Sequence, residues 1–266
     1  MWQHSGTSSG GPVRVRRLGI VGGCLSHQPG IPFSRLYHQV LSRRLEDAYG
    51  VRLRPVIDRS FDAPLDQRLA ALADRQTDLV LVHVRSALTV ASTVLYRRKS
   101  RAPTDDRIEP PGVPRPAFGS REGLHPDWIH EGNVALGILL GRHRRVVAGQ
   151  VSEAIAATEA AAQRAVFPVV VGPTAELRGL ADRLVCATLN RSLVRASRTH
   201  GFEFVDVLHG WDRTFSLPDG THLTVEGHRH VADRLFATLG PRVAAGETDD
   251  GRARGEGRSD SWDQSR

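Results

Sequence analysis

Near the end of this 266-residue chain, Pro218-Asp219-Gly220-Thr221-His222-Leu223-Thr224-Val225-Glu226-Gly227-His228 sets an Asp three residues before a His, with a small turn residue between them. An amphipathic helix is expected just after. That spacing lets the Asp219 carboxylate hold the His222 imidazole in one tautomer, as a general base requires. The plainer reading of such a His is a capping or packing residue in front of an apolar helix. A base needs a nucleophile to act on, so the rest of the chain has to supply one.

The elements that position these residues follow from apolar periodicity. Leu18-Gly19-Ile20-Val21 is a short apolar strand that ends in Gly22-Gly23. Behind Pro32, which suits a helix start, Leu36, Tyr37, Val40, Leu41, Leu45 and Ala48 recur at helical spacing. Val51 to Ile57 reads as a second strand and Leu65 to Ala73 as a helix. Asp78 to Val84 is a nearly continuous apolar run, the pattern of a strand buried on both faces of a parallel sheet. Val166 to Val171, stopped by Gly172-Pro173, and Phe202 to Val207 are two more strands. Helical segments over roughly 146–164 and 175–199 precede them, and a last helix runs from about Thr224 to Leu239. Five strands alternating with helices predict a three-layer α/β domain with a five-stranded parallel sheet. Ligands in such sheets bind beyond the carboxyl ends of the strands. Four loops therefore share one rim: Gly22–Gly30, the loop after Ile57, the loop after Val84, and the Asp219–His222 turn.

Around this domain, expected over 13–242, composition changes. Residues 1–12 form a Ser/Gly-rich leader without an apolar core, so no signal peptide is expected. Residues 243–266 are charged and Gly-rich and are expected to be disordered. Residues 97–127, rich in Pro, Gly and charge, interrupt the rhythm as a long loop insertion, either a lid or a plain surface loop. No apolar run reaches the ~20 residues of a membrane span, and the expected location is cytoplasmic. The net charge is +7, and Lys99 is the only lysine. Arginines scattered over helix faces with few aromatics among them do not make a nucleic-acid surface. Cys24 and Cys186 form neither a disulfide framework nor a metal-ligand pattern, so no metal and no cofactor is expected. Nothing in the sequence speaks to oligomeric state.

Gly22-Gly23-Cys24-Leu25-Ser26 after the first strand resembles the Gly-Asp-Ser-Leu opening of the SGNH (GDSL-type) hydrolases. Asp219-Gly220-Thr221-His222-Leu223, with Glu226-Gly227-His228 after it, is similar to that family's last block, Asp-x-x-His-Leu. Asn190, Ala196 and Gly201 to Val207 match the helix and strand that usually precede it, so the resemblance spans roughly 15–240. It implies a flavodoxin-like sheet and hydrolysis of a small ester or acylated substrate through a nucleophile, His222 and Asp219. Aligned on the glycine, the family's serine falls on Cys24. A thiolate is a strong nucleophile, and a helix N-terminus lowers its pKa. Ser26 is the rival nucleophile in the same turn; with neither acting, Cys24 is packing and Ser26 a loop hydroxyl or cap. The family's glycine after strand two is absent from Asp58-Arg59-Ser60-Phe61-Asp62, and its Gly-x-Asn-Asp block reads Val84-Arg85-Ser86-Ala87. Those positions normally supply oxyanion donors, and one lost donor costs roughly 10²–10³ in rate. Arg85, with Ser86 beside it, is a candidate substitute because a guanidinium offers five donors; its plain alternative is a salt-bridged rim residue. The other function class compatible with these departures is a weakly active or inactive ligand-binding or scaffold module on the same fold. His83 is expected to be a buried, hydrogen-bonded histidine, and His27 and His228 polar loop and helix-face residues.

Overall fold

The computed structural model describes residues 14–21, 24–28, 30–58, 65–84, 90, 93, 127–164, 166–174, 179–217 and 222–245, with the backbone alone for Cys24, His27, Asp66, Asp127 and Trp128. The five strands are β1 (Arg14–Val21), β2 (Val51–Ile57), β3 (Leu79–His83), β4 (Phe167–Val171) and β5 (Glu203–Val205). They form one all-parallel sheet in the order β2-β1-β3-β4-β5. The helices are α1 (Tyr37–Tyr49), α2 (Leu65–Ala73), α3 (Asp127–Leu139), α4 (Arg142–Ala162), α5 (Leu180–His200) and α6 (Val225–Ala245). This is the flavodoxin-like order, and its topological switch point lies between β1 and β3, where ligands bind in such sheets.

Strand alternation sorts the core into two faces. Leu18, Ile20, Leu79, Leu81, Val169 and Val171 point to the side covered by α1 and α6. Val21, Val80 and Val82 meet α2 and α4, and Val170 meets Leu189 and Leu193 of α5. The two strand prolines sit where no ladder bond is lost. Pro55 is on β2, an edge strand. Phe167 donates its N–H to Asp78 on the β3 side, so the nitrogen of Pro168 faces the β5 side, where pairing begins only at Val169.

Helix α3 was not expected from the sequence. It packs Val134 against Val185 of α5 and caps that helix from outside, since Glu131 Oε1 accepts the N–H of Ala181 at 2.8 Å. His130 Nε2 meets the buried carboxylate of Asp182 at 2.9 and 3.1 Å. A Cβ at Gly137 would stand 2.1 Å from the carbonyl oxygen of Thr93, so only glycine lets α3 lie this close. Helix α6 continues past Leu239 to Ala245, because Val243 still reaches the core; the charged tail expected from 243 thus begins inside a helix. The expected leader, residues 97–126 and the chain beyond 245 lie outside the described residues. Among the described residues, no helix is long and apolar enough to cross a membrane.

Candidate active site

Strand β1 ends at Val21, and Cys24–His27 follow as a single 3-10 turn. α1 starts only at Tyr37, so Cys24 does not open an α-helix, and the helix-terminus activation expected for its thiol has no such helix behind it. Within the turn, Leu25 packs against the core and Ser26 is 2% exposed. The Ser26 carbonyl accepts the Nε2–H of the buried His38 at 3.0 Å.

Just beyond the turn, the buried Gln28 joins this loop to the other end of the sequence. Its Nε2 donates to the carbonyl of Leu223 at 2.7 Å, and its Oε1 accepts the Leu223 N–H at 3.1 Å. Leu223 is the neighbour of His222, so the amide sets the candidate base beside the loop that carries Cys24. No rule of sequence spacing links a glutamine to a backbone unit this distant, and Gln28 was missed for that reason.

The His222 turn is pinned on its other side as well. Ser216 and Leu223 form an antiparallel bridge, Leu217 donates its N–H to the His222 carbonyl at 2.7 Å, and Thr224 donates to the Phe215 carbonyl at 2.9 Å. Thr224 then caps α6, its Oγ1 accepting the Gly227 N–H at 3.1 Å, as an N-cap hydroxyl does for an orphan amide. A Cβ at Gly227 would lie 2.1 Å from the Phe215 carbonyl oxygen, so glycine at this position lets α6 begin against the segment that holds His222. His222 itself is half-buried.

Behind the site lies a buried group of aromatic and imidazole side chains. Tyr37 Oη and His83 Nε2 share a hydrogen bond of 2.7 Å, so His83 is bonded as expected, although it is half-buried rather than buried. Tyr37 also donates its N–H to His228 Nδ1 at 3.4 Å, and the two rings stack. His228 is fully buried, not the polar helix-face residue expected from the sequence. The fold turns it inward, in the first turn of α6, onto α1. Its Nδ1 accepts, which assigns the proton to Nε2, and that nitrogen has no partner. Burial lowers the His228 pKa to about 4, helped by His38 and His222 nearby. His83 is lowered to about 3 by burial and then by His38 and His228, and burial raises the Tyr37 phenol above its ordinary value. His83 and His228 are therefore neutral near pH 7. A neutral His228 beside His222 lets the latter take up a proton without meeting a second cation.

Asp219, Arg85 and Ser86 lie outside the described residues, as does the side chain of Cys24. In the loop after β2, where the family's glycine is missing, Asp58 is buried in an ion pair with Arg68 Nε. Among the described residues no group of three or more His, Cys, Asp or Glu side chains could hold a metal ion.

No protein-family model matches the sequence, and no curated protein sequence does. The fold has clear counterparts among solved structures. An extracellular lipase from Streptomyces rimosus is 15% identical, with a TM-score of 0.52 over 84% of this chain and 99% of the lipase. TesA is 16% identical, with a TM-score of 0.50 over 85% of this chain and 99% of its own. The lipase Lip_vut3 from a goat rumen metagenome is 11% identical, with a TM-score of 0.50 over 85% and 97%. At these identities the likeness is one of architecture: the chain shares the all-parallel α/β fold of these proteins.

Proposed function

We propose that the chain hydrolyses an ester or acyl group, with Cys24 as nucleophile, His222 as general base and Asp219 as the carboxylate that orients it. The observation that carries this reading is the Gln28 amide, which holds the Cys24 loop and the His222 turn together at the switch point of the sheet. The burial of Ser26 favours Cys24, because a side chain enclosed to this degree does not meet a substrate carbonyl. The lipases that share the architecture support ester chemistry of this general kind.

In the proposed cycle the Cys24 sulfur attacks the acyl carbon as His222 takes the thiol proton. The carbonyl electron pair moves to oxygen, which the Cys24 backbone N–H and Arg85 or Ser86 stabilise. Collapse of this intermediate expels the alkoxide, which receives the proton from His222. Water, deprotonated by His222, then releases the acid and restores the thiol. Electrons and protons balance without a cofactor.

The test is hydrolysis of p-nitrophenyl acetate by the wild type and by Cys24→Ala, Ser26→Ala and His222→Ala. Loss of the base or of the nucleophile is expected to lower kcat by roughly 10²–10⁴, while Ser26→Ala keeps most of the turnover. An unchanged rate in His222→Ala sinks the mechanism. Iodoacetamide labelling read by mass spectrometry separates the ligand-binding alternative, which expects neither turnover nor an activated thiol at Cys24.

A further inference from the structure

Beside the candidate site, the 3-10 turn Phe33–Arg35, helix α1 and the first turns of α6 enclose a groove of about 570 Å³. Its walls carry Arg35, Arg43, Arg44 and Arg229, and among the described lining residues Asp47 is their one acidic companion. Arg44 pairs across the helices with Asp233, and Arg43 donates to the Ser34 carbonyl. The exposed side chains of Arg35 and Arg229 make no hydrogen bond or ion pair with any described residue. The groove therefore keeps a surplus of positive charge inside a concave surface.

α1 and α6 both start at the carboxyl edge of the sheet, because each follows a parallel strand and runs back along it. Val225, in the groove wall, stands three residues after His222, which limits their separation to about 10 Å of chain. The groove thus opens onto the same edge as the candidate base. Guanidinium groups gathered in this way match the paired oxygens of a phosphate. Among the described residues no aromatic side chain lines the groove, so they offer no platform for stacking nucleic-acid bases, and its volume is that of a small-molecule site.

We infer that this groove binds a phosphate group carried by the substrate, so that the ester hydrolysed at the sheet edge belongs to a phosphorylated small molecule. The inference rests on the hydrolase reading above and names its substrate class. Arg35 and Arg229 are the residues free to engage the phosphate, and Arg43 and Arg44 set the field around it.

Two measurements on the full chain test this. The first is calorimetric titration of inorganic pyrophosphate into the wild type and the double variant Arg35→Ala/Arg229→Ala. Saturable binding is expected in the wild type, weakened about tenfold or more in the variant, since each charge-assisted contact contributes at least a factor of that order. An unchanged melting temperature shows that the variant folds. The second compares hydrolysis of the neutral ester 2-hydroxyethyl acetate with that of 2-acetoxyethyl phosphate. The variant is expected to raise KM for the phosphate ester about tenfold, leaving kcat and the neutral ester unchanged. Pyrophosphate should compete only with the phosphate ester; if it alters turnover of the neutral ester, the anion is a free effector and the inference falls. Equal binding in both proteins, or equal KM values in the variant, also overturns it. Pyrophosphate binding lost in the variant, with neither ester turned over by the wild type, overturns the hydrolase reading and the substrate assignment with it, leaving an anion site alone. Turnover that depends on His222 but ignores both arginines overturns only the groove.

Discussion

Under α1 and α6 the sheet meets Tyr37, His38 and His228 along with Leu41, Leu45, Val231 and Leu235. Under α2, α4 and α5 the clusters against the strands are mostly Leu, Val and Ala, and the buried polar groups of these helices, Arg68, Thr158 and Asp182, are held by Asp58, the Ile155 carbonyl and His130. The aliphatic face needs only volume and pattern, and its alanines Ala154, Ala157 and Ala161 let α4 lie close to the strands. The other face buries groups that are costly unless hydrogen-bonded. Those groups lie directly behind the Cys24 loop and the His222 turn. Polar burial here coincides with the place where side chains must be held in one orientation.

The largest expected effect falls on the aliphatic face. Leu189 is fully buried against Val170, and Leu189→Ala should cost about 2–5 kcal/mol. Urea denaturation at several pH values should find that loss the same at each. A loss that varied with pH would mean that the two faces are coupled.

The polar face should respond to pH instead. His83 and His228 have folded pKa values of about 3 and about 4, below the ordinary 6.5, so the unfolded chain takes up protons first as the solution is acidified. Their neutral forms leave stability at its full value above pH 6.5. It is lost as pH falls from 6.5 towards the folded values, by up to about 1.4 kcal/mol per pH unit for each group. His228→Asn should remove about half of this dependence between pH 6.5 and 4. A melting temperature with the same slope in the variant and the wild type would count against a neutral, buried His228.

The smallest expected effect comes from Tyr37→Phe. It deletes the 2.7 Å bond to His83 while keeping the ring, at a cost of about 1 kcal/mol. A neutral or stabilising result would mean that the phenol contributes no net hydrogen bond.

The strands were legible because their signal is local. Asp78 to Val84 is apolar without a break, and β3 occupies its centre. The first helical pattern is α1, although the expected start at Pro32 opens the 3-10 turn Phe33–Arg35 and α1 itself begins at Tyr37; it ends at Gly50 in the left-handed conformation that such an end requires. Helix α3 was illegible for a physical reason. Gly132 and Gly137 lower its intrinsic helicity, and Gly137 is there for its approach to Thr93 rather than for the helix. The sequence placed His222 at a rim with the Cys24 loop. It could not reveal Gln28, which joins them, or the inward turn of His228, because both depend on how α1 and α6 pack. The candidacy of Cys24 came from alignment with a family pattern, whereas the burial of Ser26 exists only in three dimensions.

The Gln28 contact also has a bearing on when the site comes into being. Its amide stands in for a missing peptide unit, offering one donor and one acceptor to Leu223, and the two residues are 195 positions apart. A contact of that span contributes only after most of the intervening chain is ordered, since the entropy of closing the loop comes first. The Cys24 loop and the His222 turn are therefore held side by side only after the chain between them is ordered. In the proposed mechanism the thiol gains its base only once α6 has docked, so folding itself acts as the safety catch on the proposed nucleophile.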